Sequence, residues 1–284
     1  MSEIEARFQD PRHFLARYGL RPKDSFGQCF LVAPPIATAI VTALGARNDE
    51  TVIEIGTGCG TLARMIAPDA KRVIAIERDR DLVAGLTKEG LPANVELVEA
   101  DAAQFDYGAI AASEPTAIVG NLPYQITGKL VRAILTPPVR WRTAVVMVQK
   151  EVAARLIAQP NEDDWGVLGV FTQAACTVKK VIEASPRCFH PAPRVTSTVV
   201  QLVPRAVPLA EETPVFQRVV HALFAARRKT VLNGLAAVAN GREGAAAALA
   251  AANVDSKRRP ETLSVEELRA VAESLTRPFP KAEG

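Results

Sequence analysis

"NLPY", Asn121 to Tyr124, ends the apolar run "TAIV" with an amide, a proline and an aromatic ring. These groups suit the presentation of an exocyclic amine on a heteroaromatic base, such as N6 of adenine. That nitrogen is a poor nucleophile because its lone pair is delocalised into the ring. It is also far too weak an acid to be ionised by a side chain. Two acceptors aimed at its hydrogens would favour the pyramidal nitrogen that attacks a methyl group. The Asn121 side-chain oxygen and the Leu122 carbonyl can serve, with Pro123 stiffening the backbone between them. Tyr124 would stack on the base. Orientation of this kind can supply roughly 7–11 kcal/mol of a barrier, so no general base is required. An Asn-Pro surface turn beside a core tyrosine is the bland alternative.

What decides between them is the company the motif keeps. "VIEIGTGCGTL" sets Gly56, Gly58 and Gly60 between a strand and a helix. Glycines let the backbone turn sharply and approach a ligand, and a helix amino terminus adds favourable dipoles. A dinucleotide fingerprint wants G-x-G-x-x-G, and Thr61 holds the third glycine's place. G-x-G-x-G is instead the form seen in S-adenosylmethionine (AdoMet) enzymes. About twenty residues on, the next strand ends in Glu77, where an acid can accept ribose hydroxyls. The third strand ends at Asp101, placed to accept the adenine amino group. Either acid alone could be a solvated strand end; two in succession after a glycine loop point to a bound nucleoside. Glu54 lies inside the first strand, unusual for a buried run, and is a candidate to orient the loop or the sulfonium end of the ligand.

The elements that must position these residues alternate between Thr51 and Val203. "TVIEIG", "RVIAIE", "VELVEA", "TAIVGN" and "TAVVMVQK" are near-continuous apolar strands of the kind covered on both faces of a parallel sheet. Between them "TLARMIAPDA", "RDLVAGLTKEG", "TGKLVRAILT" and "KEVAARLIAQ" are amphipathic helices. Strand and helix in alternation predict a doubly wound α/β sheet with ligands at the carboxyl ends of its strands. "LGVFTQAACTVKKVIEA" and "TSTVVQLVP" are expected to add two edge strands. Beyond "VPRAVPLAEETP" every segment is helical, with Ser264 and Glu267 as a capping box. A boundary near residue 205 divides a domain at 1–205 from a small all-helical one at 206–284.

Composition narrows the class. The chain has 284 residues, 48% apolar and 23% charged, ordinary for a soluble globular protein. No apolar run approaches the roughly 18 residues of a membrane span. "MSEIEARFQD" fits neither a secretory signal nor an Arg-rich transit peptide, so a cytoplasmic protein is expected. Four scattered cysteines and three histidines suggest no metal site and no disulfide framework. Net charge is only +3, but "AARRKTVLNGL" and "DSKRRPETL" concentrate cations late in the chain. Such runs are solvated helix faces or phosphate-contacting patches.

Taken in order, these blocks resemble the KsgA/Dim-type small-subunit rRNA adenine-N6,N6-dimethyltransferases over nearly the whole chain. "FGQCFL" is similar to the family's F-G-Q-N-F-L, "IEIGTGCGTL" to its glycine loop, and "NLPY" is its catalytic motif. "AIERD", "EADAAQFD", "VQKEVAARL", "FHPAPRVTSTVV", "LFAARRKTVLNGL" and "RPETLSVEEL" match further blocks. The resemblance implies a Rossmann-like class I AdoMet-dependent methyltransferase domain followed by the helical domain. It puts AdoMet contacts on Gln28, position 29, Leu31, Gly56, Glu77, Asp101 and Asn121. It makes Phe189 a second aromatic against the target adenine, opposite Tyr124. Position 29 departs from the family: Cys29 stands where Asn is usual, and a thiol is a weak hydrogen-bonding group.

The implied reaction is transfer of two methyl groups to each of two adjacent adenosines near the 3′ end of 16S rRNA, in an assembling 30S subunit. Arg227, Arg228 and Lys229 are expected on rRNA phosphates, and a monomer suffices. Three rival readings remain. One is the 23S rRNA adenine methyltransferase of macrolide resistance, which is not expected to carry "RRKT" followed by "RPETLSVEEL". A DNA adenine-N6 methyltransferase more often shows D/N-P-P-Y and a larger recognition domain. The third is an assembly checkpoint in which catalysis is secondary.

Overall fold

The five apolar runs become parallel strands: β1 (Thr51–Ile55), β2 (Arg72–Glu77), β3 (Val95–Glu99), β4 (Thr116–Asn121) and β5 (Ala144–Gln149). With β6 (Cys176–Ala184) and β7 (Ser197–Pro204) they form one seven-stranded sheet, ordered β3-β2-β1-β4-β5-β7-β6. β7 runs antiparallel to β5. The computed structural model describes residues 2–136 and 139–276; residues 1 and 277–284 of the two expected domains lie outside it.

Both faces of β1, β2, β4 and β5 are covered, which is why these strands lack polar alternation. Val52, Val73, Ala75, Ala117, Val119, Val145 and Met147 pack with helices Pro34–Leu44 and Thr61–Ile66 on one face. The intervening Ile53, Ile55, Ile74, Ile76 and Ile118 are equally buried. Each such side chain contributes about 1.5–3 kcal/mol through removal from water. The amino-terminal helix Pro11–Tyr18, capped by Asp10, adds Phe14 and Leu15 to a cluster with Leu82 and Leu86 of helix Arg80–Glu89.

The chain divides into two units. One comprises residues up to Ala153 with Val178–Pro204, and the other Ala154–Thr177 with the chain from Arg205 onward. "LGVFTQAACTVKKVIEA" is therefore not one strand. Val167–Ala175 is a helix, and the strand begins at Cys176. A short helix with no exposed residue has no solvated face, so its periodicity cannot be told from that of a buried strand. In the second unit Phe171 of this helix meets Phe216 edge to face, with ring centroids 5.9 Å apart. Trp165 donates its indole N–H to the Leu263 carbonyl at 3.0 Å. The long helical stretch after residue 213 is broken into Pro214–Ala225 and Val231–Leu235, with Thr230 at the cap of the second. Arg242–Ala251 and Val265–Ser274 complete the helices, and Ser264 and Glu267 form the capping box.

The strand order reverses between β1 and β4, which lie side by side with Ile55 opposite Gly120. Chains leaving two neighbouring parallel strands in opposite lateral directions open a crevice at their carboxyl ends. Gly120 lets the two strands close to this distance: a Cβ there would sit 2.7 Å from the Ile55 carbonyl oxygen and 3.0 Å from its Cβ. Gly120→Ala is expected to cost on the order of 1–3 kcal/mol through overpacking. The check is the denaturant midpoint, which falls while the slope is kept; an unchanged midpoint would show that the strands have slack.

Candidate active site

The crevice is a cleft walled by the glycine loop, by Ile76 and Glu77 of β2, by Asp101, by residues 121–126 and by residues 25–30. Gly56, Gly58 and Gly60 all adopt positive φ, at 70°, 59° and 76°. A side chain on any of them would be strained. At Gly58 it would also meet the Phe30 ring at 3.1 Å, so the loop is bare where it borders the cleft.

Glu77 stands at the end of β2, almost wholly buried. Its Oε2 accepts the Gly58 N–H at 2.8 Å, and its Oε1 accepts those of Arg78 and Asp79, both at 2.8 Å. Burial pushes its carboxyl above the usual range, against these three donors. A carboxylate has about four lone-pair sites, so capacity remains for a ligand donor. Asp101 borders the same cleft, and its Oδ1 takes the Ala103 N–H at 2.9 Å.

Asn121 is the last residue of β4. Its Nδ2 donates to the Cys29 backbone carbonyl at 2.9 Å. That bond distinguishes the two ends of the amide and leaves Oδ1 as the free acceptor. Leu122 is held in the sheet by its N–H on the Met147 carbonyl at 3.0 Å. Pro123 accepts at its carbonyl from the Ile126 N–H and the Thr127 hydroxyl. Tyr124 borders the cleft, and its hydroxyl shares a 2.6 Å hydrogen bond with the buried Ser197 hydroxyl at the start of β7. Residue 29 meets Asn121 through its backbone, so this contact is indifferent to Cys standing there in place of Asn.

Not every expected residue reaches the cleft. Phe189 is 4% exposed and is absent from its walls. It pairs antiparallel with Leu31, and both side chains turn into the core with Ile36 and Ala37. Leu31 borders instead a smaller adjoining recess behind the glycine loop, together with Glu54, Thr57 and Asn121. Glu54 is fully buried there, and accepts the Thr57 hydroxyl at 2.6 Å. Gln28 lines the cleft but spends its amide on the protein: Oε1 accepts the Lys23 N–H at 2.8 Å, and Nε2 donates to Asp79 Oδ2 at 2.7 Å.

The sequence carries no site signal for Asp79, which caps helix Arg80–Glu89, or for Ser197, one hydroxyl in a strand. In the second unit Arg227 is partly engaged, its Nη2 on the Asp163 carbonyl at 2.5 Å, whereas Arg228 and Lys229 are exposed. Arg258 is held by Glu267 and Thr262. The N–H groups of Val231 and Leu232 donate to the carbonyls of Arg258 and Ser256, which joins the two basic runs. Among the described residues no cluster of His, Cys, Asp and Glu could hold a metal ion, and no helix is long and apolar enough to cross a membrane.

A bare loop of three left-handed glycines, an acid at the end of each of the next two strands and an amide at the end of the fourth define the site. The sequence matches the model of the ribosomal RNA adenine dimethylase family over residues 19–277. The chain belongs to that family. It is 41% identical over 271 residues to the ribosomal RNA small subunit methyltransferase A of Myxococcus xanthus, covering 94% of this chain and 95% of the relative. It is 40% identical to the protein of that name from Desulfitobacterium hafniense, over 90% and 93% of the two chains. Among solved structures, a dimethyladenosine transferase from Plasmodium falciparum superposes with a TM-score of 0.76 at 24% identity, over 85% of this chain and 95% of that one. The 23S rRNA methyltransferase ErmE gives 0.65 at 28%, over 87% and 100%. The fold is thus the Rossmann-like methyltransferase fold with a helical carboxyl-terminal region.

Glu54 yields a prediction separate from activity. Burial, reinforced by the nearby Glu77 charge, raises its carboxyl to about 8 despite the Thr57 hydrogen bond. An acid whose pKa is raised on folding holds its proton in the native state and loses it when unfolded. Its contribution to stability is full below about pH 4.5 and is lost as pH rises towards 8, at up to about 1.4 kcal/mol per pH unit. Glu54→Gln should flatten the fall of unfolding free energy between about pH 5 and 8. Glu77, whose carboxyl is also raised, is present in both proteins, so the difference between the curves reports Glu54 together with its coupling to Glu77. Parallel curves for the two proteins would mean that Glu54 is ionised in the native state.

Proposed function

We propose that the chain methylates N6 of two adjacent adenosines near the 3′ end of 16S rRNA, twice each, with AdoMet as methyl donor, on an assembling 30S subunit. We place this activity in the cytoplasm and assign it to a monomer. The observation that carries the reading is the Asn121 amide, locked by Cys29 with its oxygen free, on a cleft that it shares with the glycine loop, Glu77 and Asp101.

The residues present suit AdoMet. Glu77 and Asp101 offer carboxylates to ribose and adenine donors, the loop offers bare backbone, and Ile76 and Leu82 offer apolar walls. When bound, AdoMet supplies an electrophilic methyl on a sulfonium. The rest of the chemistry belongs to the chain. Asn121 Oδ1 accepts a hydrogen of the target amine and draws the nitrogen towards its pyramidal form. Leu122, fixed in the sheet, supplies the second acceptor at its carbonyl. The Tyr124 ring stacks on the base, and its bond to Ser197 limits tilting of that ring. The nitrogen lone pair forms the new carbon–nitrogen bond as the carbon–sulfur bond breaks, and the ammonium proton then leaves to water. Arg228 and Lys229 are the members of the basic run free to meet rRNA phosphates; Arg227 spends one of its donors on Asp163.

The 23S alternative shares this cleft. The small-subunit reading is favoured because the two relatives of that name match at 40–41% over nine-tenths or more of the chain. Asn121→Ala should lower single-turnover methyl transfer to undermethylated 30S particles by roughly 10²–10³-fold, as loss of one preorganised polar group does elsewhere. Its affinity for AdoMet should change far less. Primer extension on rRNA from a strain lacking the protein should lose the two adjacent stops in the small subunit. Stops that persist there, or their loss from 23S rRNA instead, would overturn the assignment.

A further inference from the structure

The Asn121 amide is neutral, and no charge biases it between its two flips. With Nδ2 and Oδ1 exchanged it would present donors to the amine it has to polarise, and the site would repel its substrate. The hydrogen bond from Nδ2 to the Cys29 carbonyl, 2.9 Å long, is what tells the two flips apart. The position of that carbonyl is therefore part of the catalytic geometry.

On its carboxyl side Cys29 runs into Phe30 and Leu31, which pair with His190 and Phe189; on its amino side the carbonyl is placed by the segment Lys23–Cys29. The Lys23 N–H donates to Gln28 Oε1 at 2.8 Å, which closes the segment on itself. Gln28 Nε2 donates to Asp79 Oδ2 at 2.7 Å, and Lys23 Nζ donates to Asp79 Oδ1 at 2.6 Å. Asp79 is only 3% exposed. Its Oδ1 also caps its helix through the Asp81 N–H at 3.0 Å. Its own backbone N–H donates to Glu77 Oε1. A line of hydrogen bonds thus runs from Glu77, through Asp79 and Gln28, to the residue whose carbonyl orients Asn121.

We infer that Gln28 and Asp79 are positioning residues for methyl transfer: they hold the Lys23–Cys29 segment so that the Cys29 carbonyl keeps the Asn121 oxygen turned to the target amine. Gln28 acts here through the protein and is not a ligand of AdoMet. The inference rests on the role given to Asn121 under the proposed function.

Single-turnover methyl transfer to undermethylated 30S particles, at saturating AdoMet, tests it in the full chain beside calorimetric AdoMet binding. Gln28→Ala is expected to lower the saturated rate roughly ten- to a hundredfold, the scale of a small misplacement, with AdoMet affinity little changed. Asp79→Asn keeps the size of the side chain but places a donor among donors, and should share that signature. On the Asn121→Ala background neither change should slow the reaction further, since the group they position is gone. If Gln28→Ala weakens AdoMet binding while the saturated rate is intact, Gln28 is a plain ligand and the inference is overturned. Equal losses with and without Asn121 would also overturn it. If Asn121→Ala itself keeps the wild-type rate, it is the proposed function that fails, whatever Gln28 does.

Discussion

The close parallel pairing of β1 with β4 is the constraint on which the site depends. Ile55 and Gly120 face each other across it with no room for a Cβ. Because the strand order reverses at this pair, the chain leaves one strand as the glycine loop and the other as Asn121-Leu122-Pro123-Tyr124. Backbone geometry alone then brings a bare loop and an acceptor amide to one crevice.

The electrostatics follow from burial. Glu77 and Glu54 are both enclosed, and both carboxyls are pushed up, but their surroundings differ. Glu77 meets three backbone N–H groups that favour its ionised form, which suits an acceptor of ribose hydroxyls. Glu54 meets the Thr57 hydroxyl and the Ala63 N–H, and burial raises its carboxyl to about 8. Asp79 is also buried, which works against its charge, yet Lys23 and Gln28 hold its carboxyl below the usual range. A charged carboxylate anchors the Lys23–Cys29 segment, and a neutral amide borders the cleft.

Much of this arrangement was legible in the sequence because it is local. Strand ends, glycine spacing and the acids after them are set within a few residues, and β1 to β5 fall where the apolar runs lie. The capping box at Ser264 is local too. What the sequence did not reveal depends on distant pairing. Phe189 turns into the core because it pairs with Leu31, 158 positions away, and the Gln28 amide is engaged by Asp79, 51 positions away. Helix Val167–Ala175 reads as a strand because a helix with no exposed residue has no solvated face to announce it. Three adjacent cations looked alike, and only the fold separates Arg227, on Asp163, from exposed Arg228 and Lys229.

The central claim is that Asn121 polarises the amine by accepting from it, so that no side chain removes a proton as the new bond forms. The direct measurement is the solvent deuterium isotope effect on single-turnover methyl transfer at saturating AdoMet. The account predicts nearly equal rates in light and heavy water, since the proton departs after the carbon–nitrogen bond is made. A several-fold slowing in heavy water would put a proton in flight at the transition state and contradict it.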